Sequence, residues 1–146
     1  MSVTIDASVF VAAARAAEEQ HDTSRSFLER LDATQVPIYC PVLAVPECAA
    51  AIARRTGDAD LAKEVIAVVE TLPRLCFVDL DLSAAREAAG LAIALRLRGA
   101  DSVYVAVAHT LGSELITWDA EMLERAPAVV RTMTPADWLA QQSAAP

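Results

Sequence analysis

The chain has 146 residues, 55% of them apolar and only 5% aromatic, a composition suited to one domain (residues 1–146) whose small-residue helices pack closely on a sheet. Twenty acids against twelve bases leave a net charge of −8 at pH 7, which excludes a broad phosphate-binding surface built on charge alone. The exception is a site where acids converge on divalent cations, because the bound ions invert the local sign.

Val3, Thr4 and Ile5 make a short β-type run ending at Asp6, and Ser8 opens an Ala-rich helical run from Val9 to about Ala17. The opening MSVTIDASVF has no basic stretch of the kind that starts a signal peptide. Asp22 predicts the N-cap of a second helix over Thr23 to Leu31, with Phe27, Leu28 and Leu31 as its apolar stripe. Val36 to Tyr39 reads as the second strand, and Pro41 turns the chain into a helix that carries Glu47, Ala51 and Ile52. Pro46 would cost an interior helical position about 3 kcal/mol, so it belongs in the first turn, with Glu47 in or near that turn. Gly57 ends this helix and Asp58 caps the next, which runs to Leu72 before Pro73. The pair predicts a helical hairpin over Pro41 to Leu72. Its apolar residues, Ala49, Ala50 and Ile52 against Val65, Ile66 and Val69, point several ways, so its outer side is expected to expose an apolar patch for a second copy or a partner helix.

Leu75 to Val78 is the third strand, and Ser83 begins a helix continuing to about Leu97, with Arg96 and Arg98 near its end; Arg98 reads as a partner for the helix dipole, with a contact to substrate phosphate as the alternative. Asp101 then stands where a helix should start, as an N-cap after Gly99, followed by the apolar run Val103, Val105, Ala106, Val107 and Leu111 up to Gly112. Leu115, Ile116 and Thr117 form a short buried strand with Asp119 just beyond it. Val129 and Val130 read as an edge strand, and Pro135 opens a terminal helix holding Trp138 and Leu139. Strands alternating with helices predict an α/β fold: a three-layer α/β/α sandwich around a mostly parallel sheet of four to five strands. No run approaches the roughly 20 apolar residues of a membrane span. Cys40, Cys48 and Cys76 form no C-x-x-C motif, so reduced, packed thiols in a cytoplasmic protein without a membrane partner are expected.

Asp6, Glu47, Asp101 and Asp119 share one position type, each just after a strand or at a helix start. Those positions lie at the sheet edge where open α/β folds bind ligands. Four carboxylates can hold one or two Mg²⁺ or Mn²⁺ ions, and such ions supply an activated water and charge stabilisation for attack at phosphorus without any His, Ser or Lys. The two histidines stand apart from these acids: His109 is eight residues, about 12 Å of helix rise, beyond Asp101. Other readings start from the same residues. Asp101 as a simple cap would be worth about 1 kcal/mol. An aspartyl-phosphate phosphatase or receiver-type domain would also place an acid after the first strand, but it needs a lysine near the phosphoryl group, and the sole lysine, Lys63, lies mid-helix beside Glu64. A non-catalytic binding module would have no reason to keep four acids that repel one another. Tyr39, Tyr104, Trp118 and Trp138 read as core residues rather than base-stacking platforms.

The segments T-I-D-A-S-V-F at Asp6, P-E-C-A-A-A-I-A-R-R at Glu47, L-R-G-A-D-S-V-Y-V-A-V-A at Asp101, L-I-T-W-D at Asp119 and the closing T-P-A-D-W-L at Asp137 occur in an order that resembles the PIN-domain ribonucleases, particularly the VapC-type toxins of toxin-antitoxin pairs. The resemblance spans essentially the whole chain. It implies that Asp6, Glu47, Asp101 and Asp119 are the metal-binding catalytic acids, with Ser8 and Thr117 as supporting hydroxyls. It also implies Mg²⁺ or Mn²⁺ as cofactor, RNA as substrate, a cognate antitoxin as partner, and a homodimer.

Overall fold

Five parallel strands, β1 (Val3–Ile5), β2 (Ile38–Pro41), β3 (Leu75–Val78), β4 (Glu114–Ile116) and β5 (Thr132–Met133), form one sheet ordered β3-β2-β1-β4-β5 in the computed structural model, which describes residues 1–145. The connecting helices are α1 (Ala7–Ala14), α2 (His21–Thr34), α3 (Ala44–Thr56), α4 (Ala59–Glu70), α5 (Leu82–Leu95), α6 (Gly99–Leu111), α7 (Ala120–Arg125) and the terminal α8 (Pro135–Ala144). The chain first steps outward from β1 to β2 to β3, then returns past β1 to β4. Parallel crossovers keep one hand, so a reversal of direction puts the later helices on the opposite face. Accordingly α6 packs on β1, β2 and β4 with α5 against its outer side, while α1 packs with α2, α3 and α4. The result is the α/β/α sandwich that the sequence predicts, and all of its strand pairs are parallel.

The central strand shows why. Val3, Thr4 and Ile5 are fully buried, as a strand covered on both faces must be. Thr4 lies opposite Tyr39 on one side and Leu115 on the other, and its hydroxyl is paired with Ser113 Oγ at 2.6 Å. The terminal helix is locked on by Trp138, whose ring meets Phe27 of α2 edge-on, at 5.2 Å between centroids. Thr134 and Asp137 close the start of α8 with a reciprocal capping box. Among the described residues no helix is long and apolar enough to cross a membrane.

Several predicted boundaries move, for local reasons. Helix α2 starts at His21 after Gln20, so Asp22 lies in its first turn rather than capping it. Pro46 is the third residue of α3, where an amide has no intrahelical acceptor, and the Glu47 amide makes the first regular bond, to Leu43 O at 3.2 Å. The edge strand is Thr132–Met133; Val129 and Val130 instead close a 3-10 turn over Ala126–Ala128 that Pro127 favours, both of their amides bonding Ala126 O. The hairpin α3–α4 forms, but Ile52, Val65 and Val69 are buried, and the open apolar surface on α4 centres on Val68, at 61% exposure. Cys40 and Cys48 are buried as expected, with burial pushing the Cys48 thiol up to about 12; Cys76 is exposed on the edge strand β3, contrary to a packing role.

Candidate metal centre

Strand order reverses between β1 and β4, and the loops leaving their carboxyl ends open the crevice where such sheets bind ligands. Asp6 leaves β1 and Asp119 follows β4. Each caps a helix: Asp6 accepts from the Ser8 amide at 3.4 Å at the start of α1, and Asp119 Oδ1 accepts from the Met122 amide at 2.9 Å at the start of α7. Thr117 braces the two. Its hydroxyl donates to Asp6 Oδ2 at 2.9 Å and accepts from the Asp119 amide at 2.9 Å. Ser8 Oγ makes a parallel brace by accepting from the Trp118 amide at 3.1 Å. The hydroxyls of Ser8 and Thr117 thus each join the end of β1 to the end of β4.

Glu47 enters from the first turn of α3, and its Oε1 accepts from the Tyr104 hydroxyl at 2.6 Å. Asp101 is not the N-cap of α6. The helix begins at Gly99 after Arg98, which caps with no side-chain bond, so Asp101 falls in the first turn and its carboxylate lines the cleft instead of capping. Asp101 Oδ2 lies 3.2 Å from Arg98 Nε, close enough for attraction but not aligned as a hydrogen bond, so it is a buried oxygen without a hydrogen-bond partner. All four acids, together with Ser8, Arg55, Arg98 and Trp118, line one cleft of about 400 Å³. As their side chains stand, no three ligating groups converge on a common point among the described residues. Glu47 is turned to Tyr104, while Asp101 and Asp119 are turned to Arg98.

Electrostatics link the four. Burial pushes the Asp6 carboxyl up, against hydrogen bonds from Ser8 and Thr117 that lower it, and the charge of Glu47 adds to the rise. Burial likewise raises Glu47; the Tyr104 hydroxyl opposes this and the charge of Asp101 reinforces it. Asp101 is raised to about 6, first by burial and then by the charge of Asp119, with the Arg98 guanidinium pulling the other way. Three of the four acids thus resist ionisation together, which is the condition a bound cation relieves.

Tyr104, wholly buried on α6, is a site residue that the sequence places only in the core. The signal was available, since Asp101 and Tyr104 are three apart on one helix and share a face. His21 hydrogen-bonds Ala12 O through Nδ1, His109 is exposed in the last turn of α6, and Lys63 is exposed on α4; none lines the cleft. That leaves the aspartyl-phosphate alternative without its lysine. Replacing Thr117 by Val, which keeps the shape and removes the brace, is expected to lower stability by about 1–3 kcal/mol in thermal melts, because it strands the Asp119 amide and leaves Asp6 Oδ2 only the long bond from the Ser8 amide.

A family model described as the PIN domain matches residues 3–128. No curated protein matches the chain in sequence. In structure it is similar to Mycobacterium tuberculosis VapC20, a sarcin-ricin loop cleaving toxin, at 18% identity and a TM-score of 0.69 over 84% of this chain and 94% of that one. It is similar to VapBC2 of Rickettsia felis, solved bound to a DNA fragment from its promoter, at 14% identity and a TM-score of 0.70 over 92% and 98%. It is also similar to FitAcB of Neisseria gonorrhoeae, at 17% identity and a TM-score of 0.69 over 92% and 98%. At these identities the structural likeness establishes the fold, and the family model, covering most of the chain, establishes the rest: the chain belongs to the PIN domain family.

Proposed function

We propose that the chain is a metal-dependent endoribonuclease, the toxin of a two-gene toxin-antitoxin pair, acting in the cytoplasm as one domain. The observation that carries this reading is the convergence of four carboxylates from four separate elements on one cleft at the sheet's switch point. Family membership and the similarity to VapC-type and FitAcB proteins support it. The residues fit a hard divalent cation: the donor set is entirely oxygen, and Asp101 presents a buried oxygen that no protein donor satisfies. Asp6, Glu47, Asp101 and Asp119 would hold Mg²⁺ or Mn²⁺, which supplies charge neutralisation and an acidified water when bound. The protein's own part is to fix Asp6 and Asp119 through Thr117, to hold Glu47 through Tyr104, and to keep the acids in a half-buried cleft where their charge is poorly screened.

An antitoxin segment of apolar character fits the groove of about 530 Å³ between α4 and the pair α1–α2, where Phe10, Leu28, Leu61, Val65 and Val68 line the floor and walls. The groove takes one wall from α4 of the hairpin, through Leu61, Val65 and the exposed Val68. A second copy fits the far edge, where Leu80, Leu82, Ile93 and Leu111 are exposed.

Incubating the purified chain with labelled RNA and with single-stranded DNA, in Mg²⁺, in Mn²⁺ and in chelator, tests the activity. RNA cleavage is expected in either metal and none in chelator. The ends should be 5′-phosphate and 3′-hydroxyl, because no imidazole lines the cleft to activate a ribose 2′-hydroxyl. Recovery of 2′,3′-cyclic phosphate, or full activity in excess chelator, would defeat the mechanism.

A further inference from the structure

Arg98 occupies a position that helix electrostatics disfavour. The sequence places it at the end of the preceding helix, as a dipole partner or a phosphate contact, but that helix stops at Leu95 and Arg98 is the N-cap residue of α6, its backbone extended (φ −61, ψ 151) and its side chain capping nothing. Positive charge at a helix N-terminus opposes the macrodipole. What compensates it is carboxylate. Nε lies 3.2 Å from Asp101 Oδ2, and Nη2 lies 3.3 Å from Asp119 Oδ2 and 3.8 Å from Glu121 Oε2. Glu121 has its own partner in Arg125, so the contacts that matter are the two on the cleft acids. Neither is strong. The Asp101 contact is misaligned for a hydrogen bond, and the Arg98 side chain is 69% exposed, so solvent screens both.

We propose that Arg98 is an internal counter-cation: it bridges Asp101 and Asp119 in the metal-free protein, competes with the divalent ion for those carboxylates, and once displaced engages a phosphate of the RNA strand. This rests on the metal-dependent ribonuclease reading above. The competition follows from space and charge. A small divalent ion draws its oxygen ligands to about 2.0–2.1 Å, which a guanidinium sharing the same Asp101 and Asp119 oxygens would obstruct by bulk and by like charge. The released side chain stays tethered at the wall of the cleft, and its planar fork of donors matches a phosphodiester. In a chain of net charge −8, cations for the substrate must come from the cleft itself. The two that line it are Arg98 and Arg55, and Arg55 is held by Glu18 at 3.2 Å.

The test is calorimetric titration of Mn²⁺ into the full chain and into Arg98→Gln, Arg131→Gln and Asp101→Asn, with thermal melts in chelator to follow folding. Arg131 pairs with Glu114 and does not line the cleft, so its substitution makes the same change in net charge elsewhere. Arg98→Gln should bind Mn²⁺ about three- to tenfold more tightly than the unmodified chain and melt lower in chelator; Arg131→Gln should bind it within about twofold. In a Glu47→Gln background, which slows turnover, Arg98→Gln should weaken binding of labelled single-stranded RNA in Mn²⁺ but not in chelator. Unchanged or weaker Mn²⁺ binding by Arg98→Gln overturns the proposal, as does equal tightening by Arg131→Gln or unchanged RNA affinity in Mn²⁺. If the unmodified chain binds Mn²⁺, Asp101→Asn does not, and Arg98→Gln matches the unmodified chain, the counter-cation fails while the metal reading stands. If the unmodified chain binds no Mn²⁺, or Asp101→Asn binds it equally well, both fail.

Discussion

Asp101→Asn is expected to raise the melting temperature of the metal-free protein by roughly 5–10 °C at pH 8 while removing RNA cleavage. In the folded chain the Asp101 carboxyl is raised from 3.8 to about 6 by burial and by the charge of Asp119. The folded state therefore holds this proton more tightly than the unfolded state, and ionising the group costs stability. That cost is complete above the folded value, is relieved as pH falls through about 6, and is gone below the unfolded value. A rise of about two units corresponds to ~2–3 kcal/mol, and the side chain is only 15% exposed, so solvent screening removes little of it. At 146 residues each kcal/mol is worth roughly 2–4 °C. Asn mimics the protonated acid at every pH, so between pH 4 and 7 the variant in chelator should lose less stability as pH rises than the unmodified chain, the remaining fall coming from the raised Asp6 and Glu47 carboxyls. Because Asp101 is not the N-cap, Asp101→Ala should also melt above the unmodified chain. A cap would instead show Asn neutral and Ala about 1 kcal/mol worse. Added Mn²⁺ should then reverse the order, stabilising the unmodified chain and leaving the variant unmoved.

How far the sequence reveals this arrangement depends on the range over which each feature is determined. β1 and β3 fall on the predicted residues because short β-branched and apolar runs bounded by acids and prolines are local signals. Pro46 could be placed in a first turn by the cost of any other position. The order β3-β2-β1-β4-β5 could not be read, because alternation of elements shows that strands are parallel but not which strand neighbours which. One local cue, Gly99, reads as a break and puts the start of α6 three residues late. The helix instead starts on it, since the chain is already extended at Arg98. The four acids were legible as a set because each lies beside a strand or helix end. The bond from Tyr104 to Glu47 spans 57 residues and depends on α6 lying against β2, which no local pattern encodes. Val129 and Val130 form no strand because β-branching marks only an extended preference, whereas Pro127 and two amides sharing the Ala126 carbonyl decide the local turn.

The four acids should prove unequal in what their loss removes. Asp6 is 6% exposed, with its amide on Ile116 O at 3.0 Å and its carboxylate on Thr117 and Ser8, so both the position and the direction of its oxygens are fixed. Asp6→Asn removes the charge, and with its one oxygen kept as acceptor for Thr117 and Ser8 it turns an NH2, which cannot ligate a cation, toward the cleft. It should lose Mn²⁺ affinity together with RNA cleavage, by ~10³-fold in kcat/KM. Glu47 is longer, only half-buried, and held by one oxygen on Tyr104, which leaves its other oxygen to the cleft. A carboxylate at that reach suits contact through water better than direct ligation, and Gln can still accept from Tyr104. Glu47→Gln should therefore keep Mn²⁺ affinity within about tenfold and lose mainly kcat. Tyr104→Phe leaves the charge in place but frees Glu47 to swing, and should lower kcat by about 10- to 100-fold with KM little changed. Calorimetry with Mn²⁺ beside steady-state cleavage separates the three variants. Equal loss of Mn²⁺ binding in Asp6→Asn and Glu47→Gln would make Glu47 a direct ligand, and unaltered turnover in Tyr104→Phe would show that the hydroxyl holds the core and not the acid.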